Sequence, residues 1–355
     1  MKAIVLGGTG FVGMNVVRAL VAAGHDVAAT RRTRANTLFA RKLGARLVQA
    51  DLEDADALAD VMGGREVVFM CAGHYPRYSL DLDHEVGNAR RWVRTTLEAA
   101  RKAGVQRYVL TSSVSTVGPP GPGRELSDER DPMAPQAHDS VYFAVKYAIE
   151  QEALAALATG LDVVVTLPTG IVGELDVKAG TGFAIVAVGN GMLPFYVQGR
   201  TNIIDADEMA LGHLLAAERG RTGERYILAG NNTTIEGLLL AVCRELDLKF
   251  TSWRMPLGLA GVLSTVSEMR CATLGGHRRP FIAREFVDVV RHGQWVDPAK
   301  AVYELGTPPP APLEDTVRKA CRWYERYRYI HRDNPKRSPA GAADRSGPVS
   351  QGDPA

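Results

Sequence analysis

The sequence predicts an α/β protein built on a doubly wound parallel sheet, with a smaller, discontinuous C-terminal lobe. Two observations carry this. Short runs rich in Val and Leu alternate with helical patterns as far as Leu167, as expected of strands covered on both faces. The first run, Met1 to Leu6, leads at once into Gly7-Gly8-Thr9-Gly10-Phe11-Val12-Gly13, and an amphipathic helix over Asn15 to Ala23 follows and stops at Gly24. Strand, glycine turn and helix in that order are the context of a dinucleotide-phosphate site.

The turn has a direct physical basis. Glycine adopts backbone angles that a side chain forbids, so the chain can bend sharply off the strand and its backbone can approach a pyrophosphate. The first amides of the following helix lack intrahelical partners and point at the anion. Gly8-x-Gly10-x-x-Gly13 fits the general fingerprint, and Gly7-x-x-Gly10-x-x-Gly13 fits a more discriminating one.

Further strands are expected at His25 to Thr30, Ala45 to Ala50, Glu66 to Ala72, Gln106 to Thr111 and Leu161 to Leu167, with a helix over Trp92 to Ala103. Ligands of such sheets sit at the carboxyl ends of the strands. After Pro168 the alternation weakens. Asn202 to Asp205 reads as a short strand returning to the sheet, Asp207 to Glu218 as a helix and Arg225 to Ala229 as a strand, with residues 233–330 mostly helical. The division is therefore 1–168 for the nucleotide-binding unit and 169–332 for the second lobe, segments at about 201–230 rejoining the core. Residues 333–355 are polar and rich in Pro and Gly, and read as a disordered tail.

Composition narrows the class. With 46% hydrophobic and 23% charged residues, the 355-residue chain has the make-up of an ordinary soluble enzyme. A net charge of +2 gives no reason to invoke nucleic acid. Cys71, Cys243, Cys271 and Cys321 are scattered without metal-ligand spacing, so reduced thiols in a cytoplasmic protein and no metal are expected. No signal peptide and no membrane-spanning run is read. Pro256 to Val266, interrupted by Gly258 and Gly261, reads as a buried or substrate-facing helix, with membrane-surface contact as the lesser alternative.

The end of the second strand meets the adenosine ribose, where an acidic residue would repel a 2′-phosphate. Here Thr30-Arg31-Arg32-Thr33-Arg34 offers guanidinium groups instead, whose fork of donors suits a phosphate. The expected cofactor is NADP(H), ahead of NAD(H). Asp51 can accept from the adenine amino group or cap a helix.

Tyr142-Phe143-Ala144-Val145-Lys146 opens a helix that runs on through Ala158, and a spacing of four puts Tyr142 and Lys146 on one face. A phenol titrates near ~10, and a neighbouring ammonium together with the positive nicotinamide of an oxidised cofactor favours the phenolate and lowers that value. Thr111-Ser112-Ser113 ends the fifth strand at the same edge, where a hydroxyl can support charge on a substrate oxygen.

These features together resemble the extended short-chain dehydrogenase/reductase family over about residues 1–330. The resemblance rests on the glycine turn, Asp51-Leu52, Thr111-Ser112-Ser113, Tyr142-x-x-x-Lys146 and Asp205 to Ala210. Within the family it is nearest to dihydroflavonol-4-reductase-like, 3-beta-hydroxysteroid dehydrogenase-like and hopanoid-associated sugar epimerase proteins, the last through Gly212 to Ala216 and Gly223 to Leu228. It implies a Rossmann fold, Ser113 (rather than Ser112), Tyr142 and Lys146 as catalytic residues, and backbone at Pro168 to Ile171 against the nicotinamide carboxamide. The implied cofactor-binding set is Gly7, Thr9, Gly10, Phe11, Val12, Gly13, Arg31, Arg32, Asp51, Leu52, Ala72, Tyr142, Lys146 and Pro168. The family's helix glycine after an asparagine is missing at Asn88-Ala89-Arg90, so Asn88 is not expected to relay protons.

Substrate-facing candidates are His74 and Tyr75, Val114 and Ser115, Met192 to Tyr196, and Leu257 to Val266. Arg200 is the one candidate for a sugar diphosphate, in a segment without a dense basic cluster. The favoured function is NADP(H)-dependent reduction of a ketone, or the reverse oxidation, on an apolar or aromatic small molecule. The alternatives are a nucleotide-sugar epimerase or dehydratase that retains its cofactor, and a non-enzymatic nucleotide sensor. The partners expected are a small-molecule substrate and a second copy in a homodimer.

Overall fold

A computed structural model describes residues 1–33, 35–73, 79, 81–133, 140–273 and 284–331. The first half alternates as expected: β1 (Lys2–Leu6), α1 (Phe11–Ala22), β2 (Asp26–Arg31), β3 (Arg46–Gln49), α2 (Ala55–Met62), β4 (Val67–Met70), α3 (Leu82–Lys102), β5 (Arg107–Thr111), α4 (Val141–Ala155) and β6 (Asp162–Pro168). The second half continues with β7 (Gly170–Val172), α5 (Phe183–Gly189), β8 (Phe195–Val197), β9 (Arg200–Asp205), α6 (Ala206–Arg219), β10 (Arg225–Leu228), β11 (Asn231–Thr234), α7 (Ile235–Glu245), β12 (Trp253–Met255), α8 (Leu257–Thr273), α9 (Arg284–Arg291) and α10 (Leu313–Arg326).

The central sheet is parallel throughout, in the order β3-β2-β1-β4-β5-β6-β10. Its side chains alternate between two cores, as a strand period of two requires. Ile4, Leu6, Val163, Val165 and Leu167 face the layer of α2, α3 and α4, where Leu58, Val93, Leu97, Val145 and Ile149 meet them. Ala3, Val5 and Val164 face α1 and α6, with Val16, Leu20, Met209 and Leu215. Each fully buried large aliphatic side chain contributes about 1.5–3 kcal/mol. The reversal of strand order between β1 and β4 opens the crevice in which nucleotides bind in such sheets.

The edge strand is β10, which pairs with β6 in the register Arg225↔Val165, and α6 covers the sheet beside α1. The strand expected to return at Asn202 to Asp205 does not join this sheet. It forms β9, the centre of a separate three-stranded sheet between β7 and β11. The chain leaves the central sheet after Pro168, and Gly170 lets β7 lie close against β9, since a Cβ there would stand 3.0 Å from the Asn202 carbonyl oxygen. Residues 233–330 also hold a short strand, β12, paired with β8. Three residues are too few to show a strand period in the sequence.

Two helices start earlier than expected. α1 begins at Phe11, inside the glycine turn. α3 begins at Leu82 rather than Trp92, because Asp81 caps it by accepting from the His84 amide, and Asp83 and Glu85 suit the positive end of the helix dipole. α4 ends at Ala155, and a 3-10 turn over Ala156–Thr159 replaces its expected last turn. The second lobe has its own core of Ile185, Leu238, Leu239, Val242, Val317 and Trp323 from α5, α7 and α10. Arg18 of α1 ties the two halves by pairing with Glu174 at 2.7 Å and with Asp207. The tail from Asp333 lies outside the described residues.

Candidate active site

The glycine turn is as tight as its sequence demands. Gly7 sits at φ +80°, and a Cβ there would fall 2.7 Å from the Ala72 amide nitrogen. A Cβ on Gly13 would fall 2.2 Å from the Gly7 carbonyl oxygen. The Gly7 amide donates to Thr30 Oγ1 at 3.0 Å, fixing the turn on β2. α1 has Gly10 at its N-cap, no side-chain cap and no acidic residue in its first turn. The amides of Phe11, Val12 and Gly13 therefore lack both an intrahelical acceptor and a competing carboxylate, which fits an anionic phosphate.

Several strand ends lie around this cradle. Ala72 follows β4 and lies directly against Gly7. Arg31 closes β2, with Nη1 3.5 Å from the Arg32 carbonyl oxygen, and Arg32 is exposed beside it. Arg34 lies outside the described residues. Leu52 packs on the central core, and Pro168 is the buried last residue of β6. Asp51 is exposed and accepts from the Glu53 amide at 3.2 Å. It does not cap α2: Asp54 does, accepting from the Ala57 amide at 3.0 Å, because the turn at Asp51 delays the helix by three residues.

At the end of β5 the two serines part. Ser112 Oγ turns inward and donates to Glu150 Oε2 at 2.6 Å, whereas Ser113 Oγ lies 3.2 Å from the Tyr142 hydroxyl. Ser113 Oγ also accepts from the Ser115 amide at 3.2 Å, which leaves its own proton for the phenol or a ligand. Ser115 Oγ is buried beside the Tyr142 hydroxyl and, with Ser113, favours its ionised form. Lys146 stands one helical turn beyond Tyr142, and its Nζ would lie 3.7 Å from a Cβ placed on Gly73 after β4. Tyr142, Ser113 and Lys146 thus meet at the carboxyl edge of the sheet, beside the cradle. His74 and Tyr75 lie outside the described residues.

The electrostatics differ from the expectation of a lowered phenol. Burial pushes the Tyr142 hydroxyl above its ordinary value, the Ser113 hydrogen bond pulls it back, and the Glu285 carboxylate of α9 raises it again. Burial also brings the Lys146 ammonium down to about 8, against the opposing pull of Glu150. In the protein alone, desolvation is the largest influence on the phenol. Burial drives the neighbouring Cys71 thiol up to about 12, so it stays protonated.

Three contributors escaped the sequence reading. Glu150, one turn after Lys146, is buried and takes hydrogen bonds from Ser112 and Thr116 at 2.6 and 2.7 Å and an ion pair from Arg225 at 2.7 Å. Its i+4 spacing from Lys146 was a usable signal. Glu285 had none, since it arrives from a distant helix. His213, on α6, sits buried between Thr111 and Thr166, both 2.9 Å from Nε2. Its Nδ1 is 2.8 Å from the Met209 carbonyl oxygen, which can only accept, so Nδ1 carries the proton. Burial lowers this imidazole to about 4 and keeps it neutral.

Other expectations resolve plainly. Arg200 lies 4.4 Å over the Trp295 ring. Asn88 bonds His84 and Arg91 of its own helix, at 2.9 and 3.1 Å. Pro256 to Val266 is not a buried helix: Leu259, Val262 and Val266 of α8 are exposed. The four cysteines are free, and among the described residues no cluster could hold a metal.

A seven-stranded parallel sheet with a glycine cradle at this crevice defines a dinucleotide-binding Rossmann fold, and the relatives below make the chain an NAD(P)-dependent enzyme acting between CH–OH and C=O. The chain belongs to the NAD dependent epimerase/dehydratase family, whose model matches residues 3–229. It is 34% identical over 331 residues to a candidate dihydroflavonol 4-reductase of Synechocystis sp., covering 92% of this chain and 95% of that one. It is 29% identical over 312 residues to a 4-hydroxy-2-methyl-3-oxo-4-farnesyl-3,4-dihydroquinoline-1-oxide ketoreductase of Stigmatella aurantiaca, covering 86% and 91%. Among solved structures, a nucleoside-diphosphate-sugar epimerase from Pseudomonas aeruginosa is 29% identical with a TM-score of 0.78, covering 93% and 99%.

Proposed function

We propose that the protein interconverts a carbonyl and a secondary alcohol on an apolar or aromatic small molecule, with NADP(H) as the preferred carrier. The observation that carries this is the 3.2 Å contact between Ser113 Oγ and the Tyr142 hydroxyl, with Lys146 one turn further along the same helix. When bound, the nicotinamide supplies or takes the hydride. In the reductive direction Ser113 donates a hydrogen bond to the substrate oxygen, and Tyr142 donates its proton to that oxygen as charge develops. Lys146, charged below about 8, stabilises the phenolate left behind and is placed to hold the nicotinamide ribose.

The cradle formed by Gly7, Thr9, Gly10, Phe11, Val12 and Gly13 would hold the pyrophosphate, and Leu52, Ala72 and Pro168 would flank the cofactor. Arg31 and Arg32 favour NADP(H), because they place guanidinium donors where an acid would repel the 2′-phosphate. Asp51 remains available to the adenine amino group. The absence of a dense basic cluster in residues 170–200 weighs against a sugar diphosphate. We further place the protein in the cytoplasm, in keeping with its four free cysteines.

The test is to follow nicotinamide absorbance with NADPH and, separately, NADH over a panel of ketones, sterols, flavonoid-type compounds and nucleotide sugars. Consumption of one NADPH per carbonyl reduced is the expected result. Equal or tighter use of NADH would overturn the cofactor preference. Turnover of a nucleotide sugar without added cofactor would replace the reductase by an epimerase or dehydratase.

A further inference from the structure

Helix α8 (Leu257–Thr273) presents its faces in the reverse of the usual order. Polar Ser264 and Glu268 are buried with Ala260, while Leu259, Val262, Leu263, Val266 and Met269 are exposed. The exposed five recur at spacings of three and four, so they form one continuous stripe. Phe286 and Val289 on the packed neighbour α9 are exposed as well, and Trp253, just ahead of α8, is 76% exposed. Soluble monomers rarely leave an apolar surface of this extent open.

The charges around the stripe are sorted by sign. The carboxylates of Glu268 and Asp288 point inward: Glu268 Oε1 accepts from the Arg284 amide at 2.8 Å, and Asp288 lies 3.9 Å from Arg284 and 3.6 Å from Arg291. Arg254, Arg270, Arg284 and Arg291 are exposed along the border. An apolar centre with a cationic rim and a neighbouring tryptophan is the chemistry of a helix lying at the surface of an anionic bilayer. A second copy fits less well, because a two-fold contact through this face would set arginine against arginine. No helix among the described residues is long and apolar enough to cross a membrane.

We propose that the α8–α9 face docks the protein on anionic lipid surfaces, with α8 in the headgroup plane. The inference does not depend on the reduction chemistry, although α9 also carries Glu285, the carboxylate that acts on Tyr142. It is tested by co-sedimenting the full chain with phosphatidylcholine vesicles, with and without phosphatidylglycerol. A Val262→Glu, Val266→Glu double variant is run in parallel, and light scattering reports the oligomeric state of both. The wild type should partition at least about tenfold better onto the anionic vesicles, less so at high salt, and the variant should lose at least about tenfold of that binding with an unchanged thermal midpoint. Three results would overturn the proposal: no wild-type binding to anionic vesicles, equal binding by the variant, or a wild-type oligomer that the variant converts to monomers.

Discussion

Helices α4 and α8 both bury a glutamate, and they do so to opposite ends. In α4, Glu150 is held by Ser112 and Thr116, which follow β5, and by Arg225 at the start of the edge strand β10. The helix is thereby fixed at both faces, and Tyr142 and Lys146 on its first turns stand at a set place over the sheet edge. In α8, Glu268 meets one backbone amide at the start of α9, and the rest of the helix turns apolar side chains outward.

The largest expected effect lies in α4. Tyr142→Phe should lower kcat by about 10²–10⁴-fold, the range of a lost general acid, with no change in thermal midpoint. Nicotinamide absorbance with an accepted ketone measures it, and full activity in the variant would strip α4 of its proton donor.

The next contrast is between the two glutamates. Glu150→Ala leaves Arg225 without its carboxylate and should cost about 3–5 kcal/mol in urea unfolding. Glu268→Ala removes one hydrogen bond and should cost about 1–2 kcal/mol. Equal losses would erase the distinction drawn between the helices.

The third effect reads the sheet behind α4. The folded-state value of His213 is depressed, so its contribution to stability is present above its unfolded value near 6.5 and is lost as pH falls toward about 4. The stability gap between wild type and His213→Gln should therefore shrink on acidification, by roughly 3 kcal/mol over that interval. A gap independent of pH would mean that the imidazole is not held neutral.

How much of this was legible in the sequence follows from how local each constraint is. The glycine turn could be read because Gly7 and Gly13 answer to backbone contacts within a few residues and one strand. Tyr142 and Lys146 could be paired because a helix fixes the relation of residues four apart. The choice of Ser113 over Ser112 came from resemblance alone, and the side chains show a physical difference between them: Ser112 is spent on Glu150. The cap at Asp54 and the start of α3 at Asp81 were within reach of capping rules but lay among several acids. The placement of β9 was not legible, because a short apolar run says nothing about which strand it will pair with. The outward face of α8 was not legible either, since apolar residues lie on both sides of Ser264 and Glu268 and only the packing of α9 decides which side is covered.

The edge strand β10 has a consequence for how the chain comes into being. As the protein is synthesised, β6 emerges with one side unpaired, and the face beside α1 stays bare until α6 follows. The nucleotide-binding half therefore cannot finish folding on the ribosome when its last motif is made. That edge is closed only when residues 225–228 arrive, after β7, β9 and α6 have been made.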